Sequence, residues 1–357
     1  MTIVGAGAIG GLAGAYMAQA GTDVLLVDHW AEHVDALNRK GLSVDGIRGK
    51  LHFQVRAKTP DALTEPLDVV LLATKSQDTV AAVQAILPLV GPATTIVSMQ
   101  NGFNEAKIAA ALDAAGLPGR SMVVGAIPNY GGALVDPGHI EFVHEGPIQI
   151  GELDGSNTPR LDHLAELLST LTSVERTGNI EGQIWAKEIY FAQIVFSALA
   201  DAPYGETLGV ERFALAAAAP VREGLAVADV SGVRVERFAF FDPDAYRAPG
   251  AEGDRRVLEA INHAVWLLEK DQKARAQTLR KKSSGVWWDI VYRRRPSEVR
   301  WASGELVDIG RQLGVDVGLL EKLCSMIYEI EDGRRSLGLH NCEEFAAFVD
   351  ARQGRTA

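Results

Sequence analysis

Short runs of apolar residues alternate with segments of helical period over the first half of the chain. Ile3-Val4, Asp23–Asp28, Asp68–Thr74 and Thr95–Met99 have continuous apolar centres rather than in-out alternation. That pattern suits strands buried on both faces of a parallel sheet. Ser121–Ile127 and Ile140–Ile150 are two further strand-like stretches, and Leu42–Gly46 and Lys50–Val55 read as strands joined by a glycine-containing turn. Leu12–Ala20 is small and apolar, as a helix packed closely on a sheet requires, and Thr79–Leu87 has helical period up to Pro88. Strand and helix in alternation predict a doubly wound parallel sheet.

Beyond Gly178 strand signals become sparse. Helical patterns cover Ile180–Leu199, Leu215–Val230, Val257–Asp271, Trp301–Leu313 and Leu319–Tyr328, with a break or kink expected at Pro220. Phe238–Asp254, rich in proline and glycine, reads as a loop long enough to be a lid or a surface excursion. The predicted fold is α/β: an N-terminal Rossmann doubly wound parallel sheet over residues 1–177, followed by an all-α C-terminal domain over residues 178–350.

Composition narrows the function classes. The 357 residues carry a net charge of −11, which disfavours nucleic acid and anionic membrane surfaces as partners. The basic run Arg293-Arg294-Arg295, with Lys281 and Lys282 before it, is either a solvated helix end or an anion or partner contact. Cys324 and Cys342 form neither a zinc pattern nor a disulfide framework, so no metal is expected and a reducing cytoplasm fits. The chain enters a strand at once, without a signal-peptide pattern, and its apolar run Ile189–Ala200 is too short to span a bilayer.

Gly5-Ala6-Gly7-Ala8-Ile9-Gly10 is a G-x-G-x-x-G string set between a strand and a helix. In that context it predicts a dinucleotide site. Gly5 allows the tight turn, Gly7 lets the backbone approach a pyrophosphate, and Gly10 lets helix and strand pack closely. Asp28 stands 18 residues beyond Gly10 and is placed to accept from ribose hydroxyls. No Arg or Lys follows in His29-Trp30 to hold a 2′-phosphate, so NAD is favoured over NADP. His29 and His33 are expected on a solvated helix face.

Two residues of the second half are candidates for catalysis. Lys187 lies on the greasy helix Gln183–Phe191, where an ammonium must find water, a partner or a substrate. A lysine whose pKa is lowered by burial suits proton donation near neutral pH, although a lysine snorkelling at a helix start gives the same pattern. Glu298, in Arg295-Pro296-Ser297-Glu298-Val299, is either a catalytic carboxylate or a first-turn residue favoured by the helix dipole.

Taken together, the motifs resemble the ketopantoate reductase family. The resemblance covers most of the chain: Gly5–Gly10, Thr74-Lys75-Ser76-Gln77-Asp78-Thr79, Gln100-Asn101-Gly102, Pro137-Gly138-His139, Ile150-Gly151-Glu152, Trp185-Ala186-Lys187, Ser283–Asp289 and Ser297-Glu298-Val299. It implies that Lys187 protonates the carbonyl oxygen as hydride arrives. It implies also that Glu298 holds the substrate hydroxyl, that Asn101 lies near the nicotinamide and ribose, and that Lys75 lies in the cofactor cleft. The departures are equally specific. Phe191 and Val195 stand where the family has asparagines, Gly285 replaces a substrate-binding serine that Ser284 can substitute, and one residue is inserted between Asp289 and Glu298. Phe191, Trp287 and Trp288 either line a greasier substrate pocket or pack in the core.

The expected activity is hydride transfer between NAD and a secondary alcohol or its ketone, with a 2-hydroxy acid and 2-oxo acid pair of partly apolar side chain as substrate. NADPH-dependent 2-dehydropantoate reduction and a non-catalytic redox sensor are the alternatives. A homodimer through the helical domain is also expected.

Overall fold

The computed structural model describes residues 1–275 and 283–354, without the side chains of residues 271–275. Lys281 and Lys282 lie outside the described residues. Backbone contacts divide the chain into a unit spanning Met1–Ile180 and a second unit from Glu181 onward, and the two have different architectures.

The first unit contains β1 (Thr2–Val4), α1 (Ala8–Gln19), β2 (Leu25–Val27), α2 (Ala31–Lys40), β3 (Leu42–Gly46), β4 (Leu51–Phe53), β5 (Arg56–Lys58) and β6 (Leu67–Leu72). It continues with α3 (Thr79–Ile86), β7 (Val90–Ser98), α4 (Glu105–Ala114), α5 (Gly119–Met122), β8 (Val123–Pro128), β9 (Gly131–Asp136) and β10 (His139–His144). β11 (Ile148–Glu152), α6 (Pro159–Ser169) and β12 (Val174–Arg176) complete it. Eight strands form one sheet in the order β12-β11-β8-β7-β6-β1-β2-β5. All neighbours in that sheet run parallel except β8 and β11.

The unbroken apolar runs have a direct cause. Successive side chains point to opposite faces of a strand. Ile3, Leu26, Leu71, Val97 and Val124 enter one core, while their neighbours Val4, Val27, Leu72, Ile96 and Val123 enter the core on the other face. Each fully buried side chain of this size contributes about 1.5–3 kcal/mol.

β3, β4, β9 and β10 form a second, smaller sheet in the order β4-β3-β10-β9. The Leu42–Gly46 and Lys50–Val55 segments therefore pair with each other, but they do so apart from the main sheet. The Ile140–Ile150 stretch is not one strand: Glu145-Gly146-Pro147 separates β10 from β11, which join different sheets. Helix α1 packs against both sheets, and this explains its lack of a polar face. A methyl at Gly11 would lie 2.6 Å from Ile140 on the small sheet, and one at Gly14 would lie 2.5 Å from Leu26 on the large sheet.

The described part of the second unit is helical: α7 (Ile180–Ser197), α8 (Glu211–Val230), α9 (Pro243–Arg247), α10 (Gly250–Arg275), α11 (Gly285–Trp287), α12 (Ser303–Gln312), α13 (Gly318–Glu331) and α14 (Leu339–Arg352). Pro220 lies inside α8 without ending it, because the helix is held by a long buried face on both sides of the missing N–H. The expected loop over Phe238–Asp254 is mostly helix. Asp242 caps α9 by accepting the Asp244 N–H, and Gly250, with φ of +63°, opens α10. A π-helical turn, Trp288–Tyr292, follows α11, closed by a 2.9 Å bond from the Arg293 N–H to the Trp288 carbonyl. A π turn takes up one residue more than an α turn.

Candidate active site

In the first unit the glycine turn lies between β1 and α1, as its spacing predicts. Gly5 has φ of +99°, and a methyl there would lie 2.6 Å from the Ala73 carbonyl carbon. A methyl at Gly10 would lie 2.1 Å from the Gly5 carbonyl oxygen. Gly7 differs from both: a methyl there meets nothing within 4 Å. Packing within the protein requires glycine at Gly5 and Gly10, whereas the space beside Gly7 is open. The start of α1 has no side-chain cap and no acidic residue in its first turn. Its N–H groups and positive dipole end suit a phosphate. These features fit a pyrophosphate-containing dinucleotide at Gly5, Ala6, Gly7, Ala8, Ile9 and Gly10.

Asp28 lies just past the end of β2. Its Oδ2 accepts the Ala6 N–H at 2.9 Å and its Oδ1 accepts the Trp30 N–H at 3.0 Å. Each carboxylate oxygen has a second lone pair, so acceptance from ribose hydroxyls remains open. His29 is exposed, but His33 is not on a solvated face: its side chain is fully buried. His33, Val34 and Leu37 form the buried side of α2.

The ends of β6 and β7 are joined by a polar network that the sequence reading did not anticipate. The Gln100 amide donates to the Thr74 carbonyl at 3.0 Å and to the Thr79 hydroxyl at 2.8 Å. The Thr79 hydroxyl donates to Asn104 Oδ1 at 3.1 Å, and the Asn104 amide donates to the Ser76 hydroxyl at 3.3 Å. Ser76 and Asn104 both donate to the Asn101 carbonyl. Lys75 and Asn101 are thereby held on adjacent strand ends, both half-buried. The Thr-x-Ser-x-x-Thr and Gln-Asn spacings were the available signal, since buried hydroxyls and amides must find partners.

In the second unit, the positions of α7 that are not buried are Glu181, Gln183, Lys187, Tyr190, Phe191 and Ile194. From Gln183 onward they fall four, three, one and three residues apart, one stripe at helical spacing. Lys187 is the one cation of that stripe. Its Nζ lies 3.6 Å from Oε1 of the buried Glu188, an ion-pair rather than a hydrogen-bond separation. One turn earlier, Gln183 Oε1 is buried with no hydrogen-bond partner among the described residues. On the other side of Lys187 the stripe is apolar and borders a cavity lined by Tyr190, Ile194, Phe240, Ala260, Ala264 and Val265. Phe191 sits in the stripe, and Val195 is buried.

Glu298 is buried and opens a 3-10 turn, Glu298–Trp301. Ser297 fixes the approach to it: its N–H donates to Glu331 Oε1 at 2.7 Å, and its hydroxyl donates to the same oxygen at 2.5 Å. Ser284 caps α11 by accepting the Trp287 N–H at 3.1 Å. Trp287 and Trp288 are buried; the Trp287 indole donates to Asp201 at 2.7 Å, and Trp288 stacks on Tyr292 with ring centroids 4.0 Å apart. In the basic run, Arg295 is paired with the buried Asp289 at 2.8 Å. Among the described residues no group of three or more His, Cys, Asp or Glu side chains can hold a metal, and no helix is long and apolar enough to cross a membrane.

A two-domain dinucleotide-binding oxidoreductase is the class that this fold and these sites define, and comparison with known proteins gives the family. The family model Ketopantoate reductase PanE/ApbA matches residues 1–155, and the model Ketopantoate reductase PanE/ApbA C terminal matches residues 179–331. The 2-dehydropantoate 2-reductase of Archaeoglobus fulgidus is 26% identical over 334 residues, covering 93% of this chain and 97% of that protein. The enzyme of the same name from Pyrococcus horikoshii is 30% identical over 237 residues, 66% of this chain and 75% of that protein. Among solved structures, a PanE/ApbA family ketopantoate reductase from Ralstonia eutropha superposes with a TM-score of 0.72 at 26% identity, covering 94% of this chain and 100% of that one. D-mandelate dehydrogenase, solved with NADH and anilino(oxo)acetate, shares the fold with a TM-score of 0.76 at 20% identity, covering 93% of this chain and 99% of that one. The chain belongs to the ketopantoate reductase family and is an NAD(P)-dependent oxidoreductase acting on CH–OH groups.

Proposed function

We propose that the protein interconverts a 2-hydroxy acid and its 2-oxo acid, that the substrate has a partly apolar side chain, and that NAD is the preferred cofactor. The observation that carries the substrate reading is the stripe on α7, where one ammonium is followed by Tyr190, Phe191 and Ile194. An aromatic and aliphatic surface holds an apolar substituent and leaves a polar one without hydrogen bonds.

A bound nicotinamide would supply or accept the hydride. The chain's own residues do the rest. In the reducing direction Lys187 stabilises the developing alkoxide and gives it a proton; in the oxidising direction Lys187 takes the hydroxyl proton as the C–H bond is lost. Glu298 accepts from the substrate hydroxyl, and Asn101 orients cofactor and substrate. Lys75 lines the cofactor cleft, and Phe191 faces the apolar substituent. Ser284, Trp287 and Trp288 are assigned to the substrate pocket as well, with Ser284 capping α11.

Asp28 supports NAD, since a carboxylate at the ribose repels a 2′-phosphate. One neighbour favours the NADP reading: Lys58 pairs with Val27 across β5 and β2, and its carbonyl accepts the Asp28 N–H at 3.2 Å. A panel of 2-hydroxy acids of increasing side-chain size, each offered with NAD and with NADP and read by absorbance of the reduced cofactor, tests the reading. Turnover with NAD that rises with apolar side-chain size is expected. A clear preference for NADPH and ketopantoate contradicts it, and tight NADH binding without turnover on any member favours a sensor. A homodimer through the helical unit and a reducing cytoplasmic setting, which suits the buried thiols Cys324 and Cys342, belong to the same proposal; light scattering checks the first.

A further inference from the structure

We infer that His33, on α2, is a positioning residue that sets the phosphate-binding turn. The inference rests on the dinucleotide reading of that turn and adds a residue outside its glycine string. The His33 ring is fully buried, and both of its nitrogens are engaged by backbone. Nδ1 lies 2.9 Å from the Gly138 N–H, and Nε2 lies 2.9 Å from the Ala6 carbonyl. A backbone N–H only donates and a carbonyl only accepts. The ring proton is therefore on Nε2, and neutral imidazole is the form that satisfies both partners.

The consequence lies in the peptide that joins Ala6 to Gly7. A trans peptide is planar, with its C=O and N–H pointing in opposite directions. His33 draws the Ala6 carbonyl into the buried interior, so the Gly7 N–H is turned the other way. The backbone at Gly7 is also uncrowded, since an added methyl there meets nothing within 4 Å. The preceding peptide is held as well, because the Ala6 N–H donates to Asp28 at 2.9 Å. Both peptides of Ala6 are thus fixed by side chains, and the Gly7 N–H is presented to an anion without first having to be ordered. Preorganisation of this kind strengthens binding by reducing the ordering cost.

The other end of the clamp gives a role to the Pro137-Gly138-His139 motif. Gly138 forms the turn between β9 and β10 with φ of +74°, and a methyl there would lie 3.2 Å from Ala36 on α2. The turn is seated against α2, and its N–H holds the imidazole that holds the Ala6 carbonyl. The small sheet and the phosphate turn are mechanically joined through one ring.

The test compares His33→Leu, which removes donor and acceptor, with His33→Gln, which retains one of each. Dissociation constants are measured for NADH, ADP and adenosine on variants whose folding is verified by circular dichroism. His33→Leu is expected to weaken NADH and ADP about tenfold or more, as loss of a buried hydrogen bond implies. Adenosine, which has no pyrophosphate, is expected to change less than twofold, and kcat at saturating cofactor to stay within about threefold. His33→Gln should recover part of the loss; if His33→Leu does not fold, His33→Phe, which also lacks both groups, carries the test. NADH and ADP affinities within twofold of wild type in the folded variants overturn the inference, as does equal weakening of adenosine. A wild-type chain that binds neither NADH nor ADP contradicts the dinucleotide reading itself, a different failure.

Discussion

At the end of β2 the Asp28 carboxylate accepts one backbone N–H on each oxygen, from Ala6 and from Trp30. It therefore serves the turn as well as the proposed ribose contact. Asp28→Ser is expected to lower the kcat/KM ratio for NAD over NADP by tenfold or more, because the substitution removes the charge that repels a 2′-phosphate. An unchanged ratio would remove Asp28 from cofactor choice. At this scale the glycine turn was legible, since Gly5 and Gly10 have the steric reasons their positions predict. His33 was not legible as an isolated residue. Its partners are the Ala6 carbonyl and the Gly138 N–H, and the latter is far away in sequence. The clue was its place beside Val34 and Leu37 on the apolar side of α2.

Among elements, α13 has an unusual start. Glu223, from α8, accepts the Leu319 N–H at 3.0 Å and the Leu320 N–H at 2.8 Å, supplying from another helix the cap that α13 lacks. Burial outweighs these two donors and pushes the Glu223 carboxyl up from 4.5 to about 7. A folded-state pKa above the unfolded value means that the folded state holds the proton more tightly. The stabilisation is full below pH about 4.5 and is lost as pH rises through about 7. Glu223→Gln should flatten this part of the profile, so that the variant gains on the wild type as pH rises across that range. Parallel Tm-against-pH curves for the two proteins would contradict the assignment.

A second carboxylate acts through a loop. Glu331 accepts both donors of Ser297 and so fixes the turn that carries Glu298. Glu331→Ala is expected to lower kcat about tenfold or more while NADH affinity stays within twofold, because the affected residue is proposed to touch substrate rather than cofactor. Equal loss in both quantities would indicate general damage instead.

The buried parallel strands and long helices were readable because they are set by local period. The small sheet was not, because β3 pairs with β10, about a hundred residues later in the chain. The helical reading of Phe238–Asp254 was masked by Pro243 and Gly250, which start α9 and α10 rather than interrupt structure.

For the whole molecule, the sequence carries two kinds of information that meet in one activity. The first unit holds a turn built for a dinucleotide, and the second holds a helix stripe on which Lys187 is the single cation. The glycine string, the order of motifs and the lysine were legible together. The apolar character of the stripe followed from Phe191, whereas the cavity beside it depends on α10 and Phe240, which no local pattern placed there.

The most direct measurement is the turnover of Lys187→Ala at saturating substrate and cofactor, on protein whose NADH affinity is confirmed to lie within twofold of wild type. General acid–base catalysis is worth about 10²–10⁴-fold, and a fall of that size in kcat is the expected result. Turnover equal to that of the wild type would contradict the account.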